Sequence, residues 1–109
     1  MTSQEDFKRT FREGNRSTTS CLVLYFLDRE DGAGVRIGFS VSKKVGNAVT
    51  RNRVKRRLKS LCSGVAQKIP PGYNLVFVAR DVAAQCSYSG LAEAIKILVG
   101  KAGLLEESL

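Results

Sequence analysis

The spacing of apolar and polar positions changes several times along the chain, and each change predicts an element. From Gln4 to Glu13 the only large apolar residues are Phe7 and Phe11, four apart, which places both rings on one face of a short helix. Ser3 with Asp6 resembles a capping box. Glu5 and Asp6 suit the first turn, Lys8, Arg9 and Arg12 suit the later ones, and Gly14 stops the helix. The rings have two possible roles: pinning the helix to a sheet, or lining an open groove. Asn15 to Ser20 is polar and reads as irregular or as a short edge strand. Cys21 to Leu27, CLVLYFL, is apolar on both faces, so the strand has cover or a cleft on each side, with Tyr25 on the face of Val23 and Leu27. Asp28 to Gly34 is a turn that reverses the chain. Val35 to Ser42 then alternates: Val35, Ile37, Phe39 and Val41 point one way, Arg36, Gly38, Ser40 and Ser42 the other. The second face is small and polar, so nothing bulky is expected over it, and it suits a ligand.

Lys43 to Gly46 forms a strand-to-helix turn, and Asn47 is placed to cap a helix running to about Ser63, with Gly64 as its stop. Val54, Leu58, Leu61, Cys62 and Val65 make its buried stripe. Asn52, Arg53, Lys55, Arg56 and Lys59 spread over the opposite arc, while Arg51 falls near the edge of the stripe, where it can turn towards the sheet. Gln67 to Gly72 is a Pro-Pro-Gly loop, and Tyr73 to Ala79 a short buried strand. The strand–helix–strand order predicts a crossover that sets this strand parallel to one before the helix. Asp81 to Cys86 is a connection with room for one helical turn. Ser87 or Ser89 caps a last helix with Tyr88, Leu91, Ile95, Leu98 and Ala102 on one face. Gly90 and Gly100 each cost it ~1 kcal/mol relative to alanine, so packing must hold it, and the tail GLLEESL is expected to fray. The whole, residues 1–109, is expected to be one α+β domain, a sandwich of helices on a mixed sheet.

Charge separates this domain from an ordinary one. The net charge is +8, but Gly32 to Arg80 holds 11 basic residues and no acid, whereas the remainder holds 7 basic and 10 acidic residues. The excess is densest in Lys43 to Lys59, KKVGNAVTRNRVKRRLK. A merely solvated helix face would intersperse acids at i, i+4, and none occur here, so a polyanionic partner is the better reading. Each Lys or Arg on a phosphate releases counterions, and exposed Phe or Tyr beside such a patch can stack unpaired bases at ~1–3 kcal/mol each.

Catalysis by the polypeptide has little to draw on. There is no histidine, no acid in the central segment to act as a base or hold a metal, and no Gly-x-x-x-x-Gly-Lys loop. A stand-alone RNase is therefore disfavoured. Cys21, Cys62 and Cys86 are odd in number and lack paired spacing, which argues against a disulfide framework or zinc site and fits a reducing cytosol. No apolar run approaches the ~20 residues of a membrane span, and MTSQEDFKR has no signal-peptide core.

RIGFSVSKKVGNAVTRNRVKRRLK resembles the signature of the bacterial ribonuclease P protein subunit, with its Arg-Asn-Arg helix motif. EDFKRTFREG resembles that family's opening helix, LVLYFL its aromatic-bearing strand, and YNLVFVARDVAAQ its last strand and following turn, so essentially the whole chain is covered. The resemblance implies an α-β-β-β-α-β-α fold with a left-handed crossover. It implies a holoenzyme, ribonuclease P, in which an RNA with bound Mg2+ removes the 5′ leader of precursor tRNA while the protein assists. The partners implied are the catalytic RNA and the single-stranded leader, with one protein per RNA, no DNA and no membrane, in the cytoplasm. Carried over by matching position, Phe7, Phe11, Tyr25 and Ser40 would line a leader cleft. Lys43, Lys44, Arg51, Asn52, Arg53, Lys55, Arg56 and Lys59 would contact RNA. No metal ligand can be placed. The chain departs from many relatives in having only Met1 to Gln4 before Glu5, where they carry a basic arm, and in its acidic tail. The alternative reading is a ribosomal or ribosome-assembly RNA-binding protein.

Overall fold

Tyr73–Ala79 is the strand against which the other elements are laid. The computed structural model describes residues 4–104. In chain order these form α1 (Gln4–Glu13), β1 (Asn15–Thr18), β2 (Leu22–Asp28), β3 (Arg36–Ser40), α2 (Ala48–Val65), β4 (Tyr73–Ala79) and α3 (Tyr88–Lys101), with 3-10 turns at Ala66–Lys68 and Asp81–Gln85. The strands make one sheet in the order β1-β2-β4-β3. β4 is antiparallel to β2 and parallel to β3, as the strand–helix–strand order predicts. The Asp28 to Gly34 turn does reverse the chain, but β2 and β3 are not neighbours, because β4 enters between them. Leu75, Val76 and Phe77 are fully buried, and only a central position covers both faces and both edges of such a strand. β3, with Arg36, Gly38 and Ser40 on one face, goes to an edge instead.

Paired residues share a face of the sheet. On one face Leu22, Leu24, Leu75 and Phe77 meet Val54, Leu58 and Cys62 of α2 and Leu91, Ile95 and Leu98 of α3 in the main core. Phe39 stacks on its cross-strand partner Phe77, with ring centroids 6.1 Å apart. Each large side chain buried here contributes ~1.5–3 kcal/mol. On the other face Tyr25, Val76 and Gly38 lie in one register, and α1 crosses them.

Helix ends follow their local chemistry. The Asn47 carboxamide oxygen accepts the Thr50 N–H at 2.9 Å, and Ser87 accepts the Gly90 N–H at 3.0 Å. α2 passes through Gly64 rather than stopping there, since Leu61 and Val65 continue the apolar stripe onto the core. α3 buries Leu91, Ala94, Ile95, Leu98 and Val99. Tyr88 leaves the expected stripe: it is exposed, and its hydroxyl meets Ser60 of α2 at 3.1 Å. The chain after α3 does not fray at once. Gly103 takes a positive φ of 72°, and the Leu104 N–H returns to the Val99 carbonyl at 3.1 Å. This Schellman-type stop buries the Leu104 side chain. Ser3 and the rest of the tail lie outside the described residues.

The cysteines correct the expectation from their count. Cys21 and Cys86, 65 positions apart, form a disulfide. Cys21 precedes β2, Cys86 follows the second 3-10 turn, and a hydrogen bond from Arg80 N–H to the Cys21 carbonyl already draws the two segments together. An odd count conceals one pair when the third cysteine is structural. Cys62 is that residue: it is buried on α2, and desolvation pushes its thiol up to about 12.

By chain entropy a loop of this size stabilises the fold by on the order of 4 kcal/mol. Reduction with dithiothreitol is accordingly expected to lower the melting temperature by at least ~10 °C, as read by circular dichroism. An unchanged melting curve would show that the two sulfurs are not bonded in solution.

Candidate nucleic-acid interface

α1 is held on the sheet by a missing side chain and a buried polar thread. A Cβ built on Gly38 would lie 2.5 Å from Cζ of Phe7, so the ring rests where β3 has no side chain. One turn on, the fully buried Thr10 donates its hydroxyl to the Asp6 carbonyl at 2.6 Å and accepts from Nδ2 of Asn74 at 3.2 Å. Oδ1 of Asn74 accepts from Nη1 of Arg29 at 2.7 Å. The same guanidinium donates to the carbonyls of Tyr73, Ala33 and Gly34 and pairs with Asp31. Its hydrogen bond, with help from the Ala33 N–H, holds the Asp31 carboxyl below the usual carboxylate range. Asp6 meets Arg36 of β3 at 3.1 Å. Buried polar groups without partners each cost ~1–3 kcal/mol; here every link has one.

This seating divides the two roles open to the phenylalanines. Phe7 is half-buried and serves as a pin. Phe11 is 42% exposed and meets Tyr25 edge-on, with centroids 4.8 Å apart and planes at 75°. Phe7 follows at 6.4 Å from Phe11. Three of the four residues matched to the leader cleft therefore stand in one aromatic row. Ser40, half-buried, lies on the same face two positions beyond Gly38. The polar face of β3 is not bare, as its small residues suggest. The Phe7 ring covers Gly38, because a residue without Cβ is what allows an aromatic ring to approach the backbone.

On α2, Asn52, Arg53, Lys55, Arg56 and Lys59 are all exposed, and Val54, Leu58 and Cys62 face the core, as the helical spacing predicts. Arg51 is half-buried, and its Nε is enclosed without a hydrogen-bond partner. A concavity of about 560 Å³ on this helix is lined by Val49, Asn52, Lys55, Arg56 and Lys59. A second, of about 350 Å³, is lined by Phe7, Ile37, Gly38, Phe39, Lys55 and Lys59. Lys55 and Lys59, one turn apart, line both. The basic helix and the edge of the aromatic cleft are thus one continuous surface, and no acidic residue lines either concavity. Lys43 and Lys44 are exposed in the turn before α2, but Lys44 lines a separate hollow with Ser42, Arg80 and Asp81. The structure therefore does not gather all the basic residues at one place.

Gly38, Thr10, Asn74 and Arg29 shape the site without appearing among the sequence candidates. One signal was present: Asn74 is the lone polar residue in the buried run YNLVFVA, and a buried amide requires partners. Among the described residues no group of three or more His, Cys, Asp or Glu could hold a metal ion, and no helix is long and apolar enough to cross a membrane.

An acid-free basic helix beside a row of partly exposed rings is the surface of a nucleic-acid-binding protein. Comparison makes that class specific. The model of the family Ribonuclease P matches residues 1–103. The ribonuclease P protein component of Oceanobacillus iheyensis is 36% identical over 104 residues, covering 95% of this chain and 86% of the relative. That of Clavibacter michiganensis is 47% identical over 76 residues, covering 70% and 67%. Among solved structures, the RNase P protein of Staphylococcus aureus superposes with a TM-score of 0.88 at 24% identity over 97% of this chain and 96% of that one. The protein from Thermotoga maritima gives 0.78 at 23% identity over 90% and 93%. The chain belongs to the ribonuclease P protein family. It is the accessory protein component of that tRNA-processing endoribonuclease and acts with the ribonuclease P RNA, and the ribosomal alternative is not favoured.

The seat of Phe7 can be tested directly. Gly38→Ala should force the ring out and cost about 1–3 kcal/mol of stability, the range for overpacking, measured by urea denaturation. A variant as stable as the parent, with Phe7 ring resonances unmoved, would show that the contact is not tight.

Proposed function

We propose that the row of Phe7, Phe11 and Tyr25, with Ser40 beyond it, receives the single-stranded 5′ leader of precursor tRNA. In the same reading the exposed face of α2, with Lys43 and Lys44, binds the catalytic RNA, and the leader where it enters the cleft. The observation that carries this reading is the sharing of Lys55 and Lys59 between the two concavities. A strand leaving the structured RNA on α2 can pass onto the rings without leaving positive potential. Phe11 offers a ring face for a base, steadied from behind by Tyr25. Arg51, half-buried on the same helix, adds a permanent positive charge to this surface. Asn52 offers a donor and an acceptor together. Cleavage chemistry falls to the RNA and the Mg2+ it holds, and the protein's contribution is affinity and placement of the substrate.

Phe11→Ala, in holoenzyme reconstituted with the RNA, should weaken binding of leader-bearing precursor by ~1–3 kcal/mol while leaving leaderless tRNA unaffected. Equal losses on both substrates, with a lower melting temperature, would make Phe11 a packing residue and refute the cleft assignment. Arg53→Ala or Arg56→Ala should reduce the salt slope of RNA binding by about one unit with little loss of stability. A large loss of stability instead would contradict their exposed placement.

A further inference from the structure

We infer that Arg16 of β1 is a phosphate-binding residue at the far end of the aromatic row, extending the leader track across the whole sheet. This rests on the leader-cleft reading above and goes beyond it in residue and in path. The register aligns one residue from every strand: Arg16 pairs with Tyr25, Tyr25 with Val76, and Val76 with Gly38. Residues paired in this way share a face, so Arg16 stands beside Tyr25 on the face that carries the rings. Strands are spaced about 4.8 Å apart, which puts Arg16 one strand beyond Tyr25 and roughly 14 Å from Gly38. A strand of RNA entering past Lys55 and Lys59 at the β3 edge and following the rings reaches β1 next.

The other arginines outside α2 are already engaged. Arg9 and Arg12 meet Glu13, Arg29 meets Asp31, Arg36 meets Asp6, and Arg80 donates to the Thr19 carbonyl. Lys101, the nearest cation on α3, donates to the Thr18 carbonyl at 3.0 Å. Arg16 is exposed and has no ion pair or side-chain hydrogen bond among the described residues. Its guanidinium is therefore the cation at this edge left to meet an incoming anion. A planar, permanently charged fork suits a phosphate oxygen pair. Cations at both ends of a stacking row would fix the course of the strand between them, and would make affinity depend on whether the leader is long enough to pass Tyr25.

The test uses reconstituted holoenzyme and measures affinity against salt for three precursors: leaderless, with a leader too short to pass the rings, and with a longer one. Arg16→Gln should reduce the salt slope by about 0.7–1 on the longest leader alone, and Arg16→Lys should keep most of it. The gain in affinity from the longer leader should shrink several-fold in the Gln variant. A Gln variant indistinguishable from the parent, in an enzyme that still favours leader-bearing substrate, would overturn the role of Arg16 and spare the cleft. Equal losses on all three substrates would also overturn it, by placing Arg16 on some other RNA surface. A parent enzyme with no preference for a leader would overturn both readings together.

Discussion

The hydrogen bond between Thr10 and Asn74 fixes the geometry on which the rest of the site depends. It joins α1 to the central strand of the sheet, and Arg29 locks the Asn74 amide from the other side. With that register set, Phe7 falls on Gly38 and Phe11 on Tyr25. A shift of α1 by one residue would rotate both rings through about 100° and leave the cleft without its row. Polar links pin such a position more sharply than apolar ones, because a donor displaced by an ångström loses its acceptor. The thread is made of buried groups satisfied within the protein, so its role is to hold the rings and not to touch RNA.

The second support is the division of labour within α2. Its stripe of Val54, Leu58 and Cys62 goes into the main core, so the helix cannot roll, and Arg53, Lys55, Arg56 and Lys59 stay outward. Because α1 packs on one face of the sheet and α2 on the other, the two meet only at the edge strand β3. Lys55 and Lys59 reach that edge from one side and Phe7 from the other. An edge strand with glycine at its middle is what lets two surfaces of opposite character, cationic and aromatic, run together.

Much of this was legible in the sequence, and the reasons differ by element. α1, the Asn47 cap, the buried stripe of α2 and the parallel return of β4 rest on local spacing and capping, which tertiary structure did not override. The insertion of β4 between β2 and β3 was not legible, because a turn reports chain reversal and not adjacency. The Cys21–Cys86 bond was hidden by its separation in sequence and by the buried third cysteine. The cover on the polar face of β3 was not legible either, because small residues fit both an open surface and one closely approached by a ring. Of the site, the basic helix showed itself by charge and the rings by spacing and resemblance. The place of Arg16 depends on strand register, which a polar four-residue edge strand does not announce.

In the proposed function the leader lies along the aromatic row of α1 and β2. A photoreactive base placed in the leader of a precursor tRNA, bound to the reconstituted holoenzyme, tests it most directly when the crosslinked peptides are sequenced. Crosslinks to Phe11 and Tyr25 are expected from bases near the cleavage site, moving towards β1 as the reactive base is placed further out. Crosslinks confined to α3 or to the turn at Lys43 and Lys44, with none on α1 or β2, would contradict it.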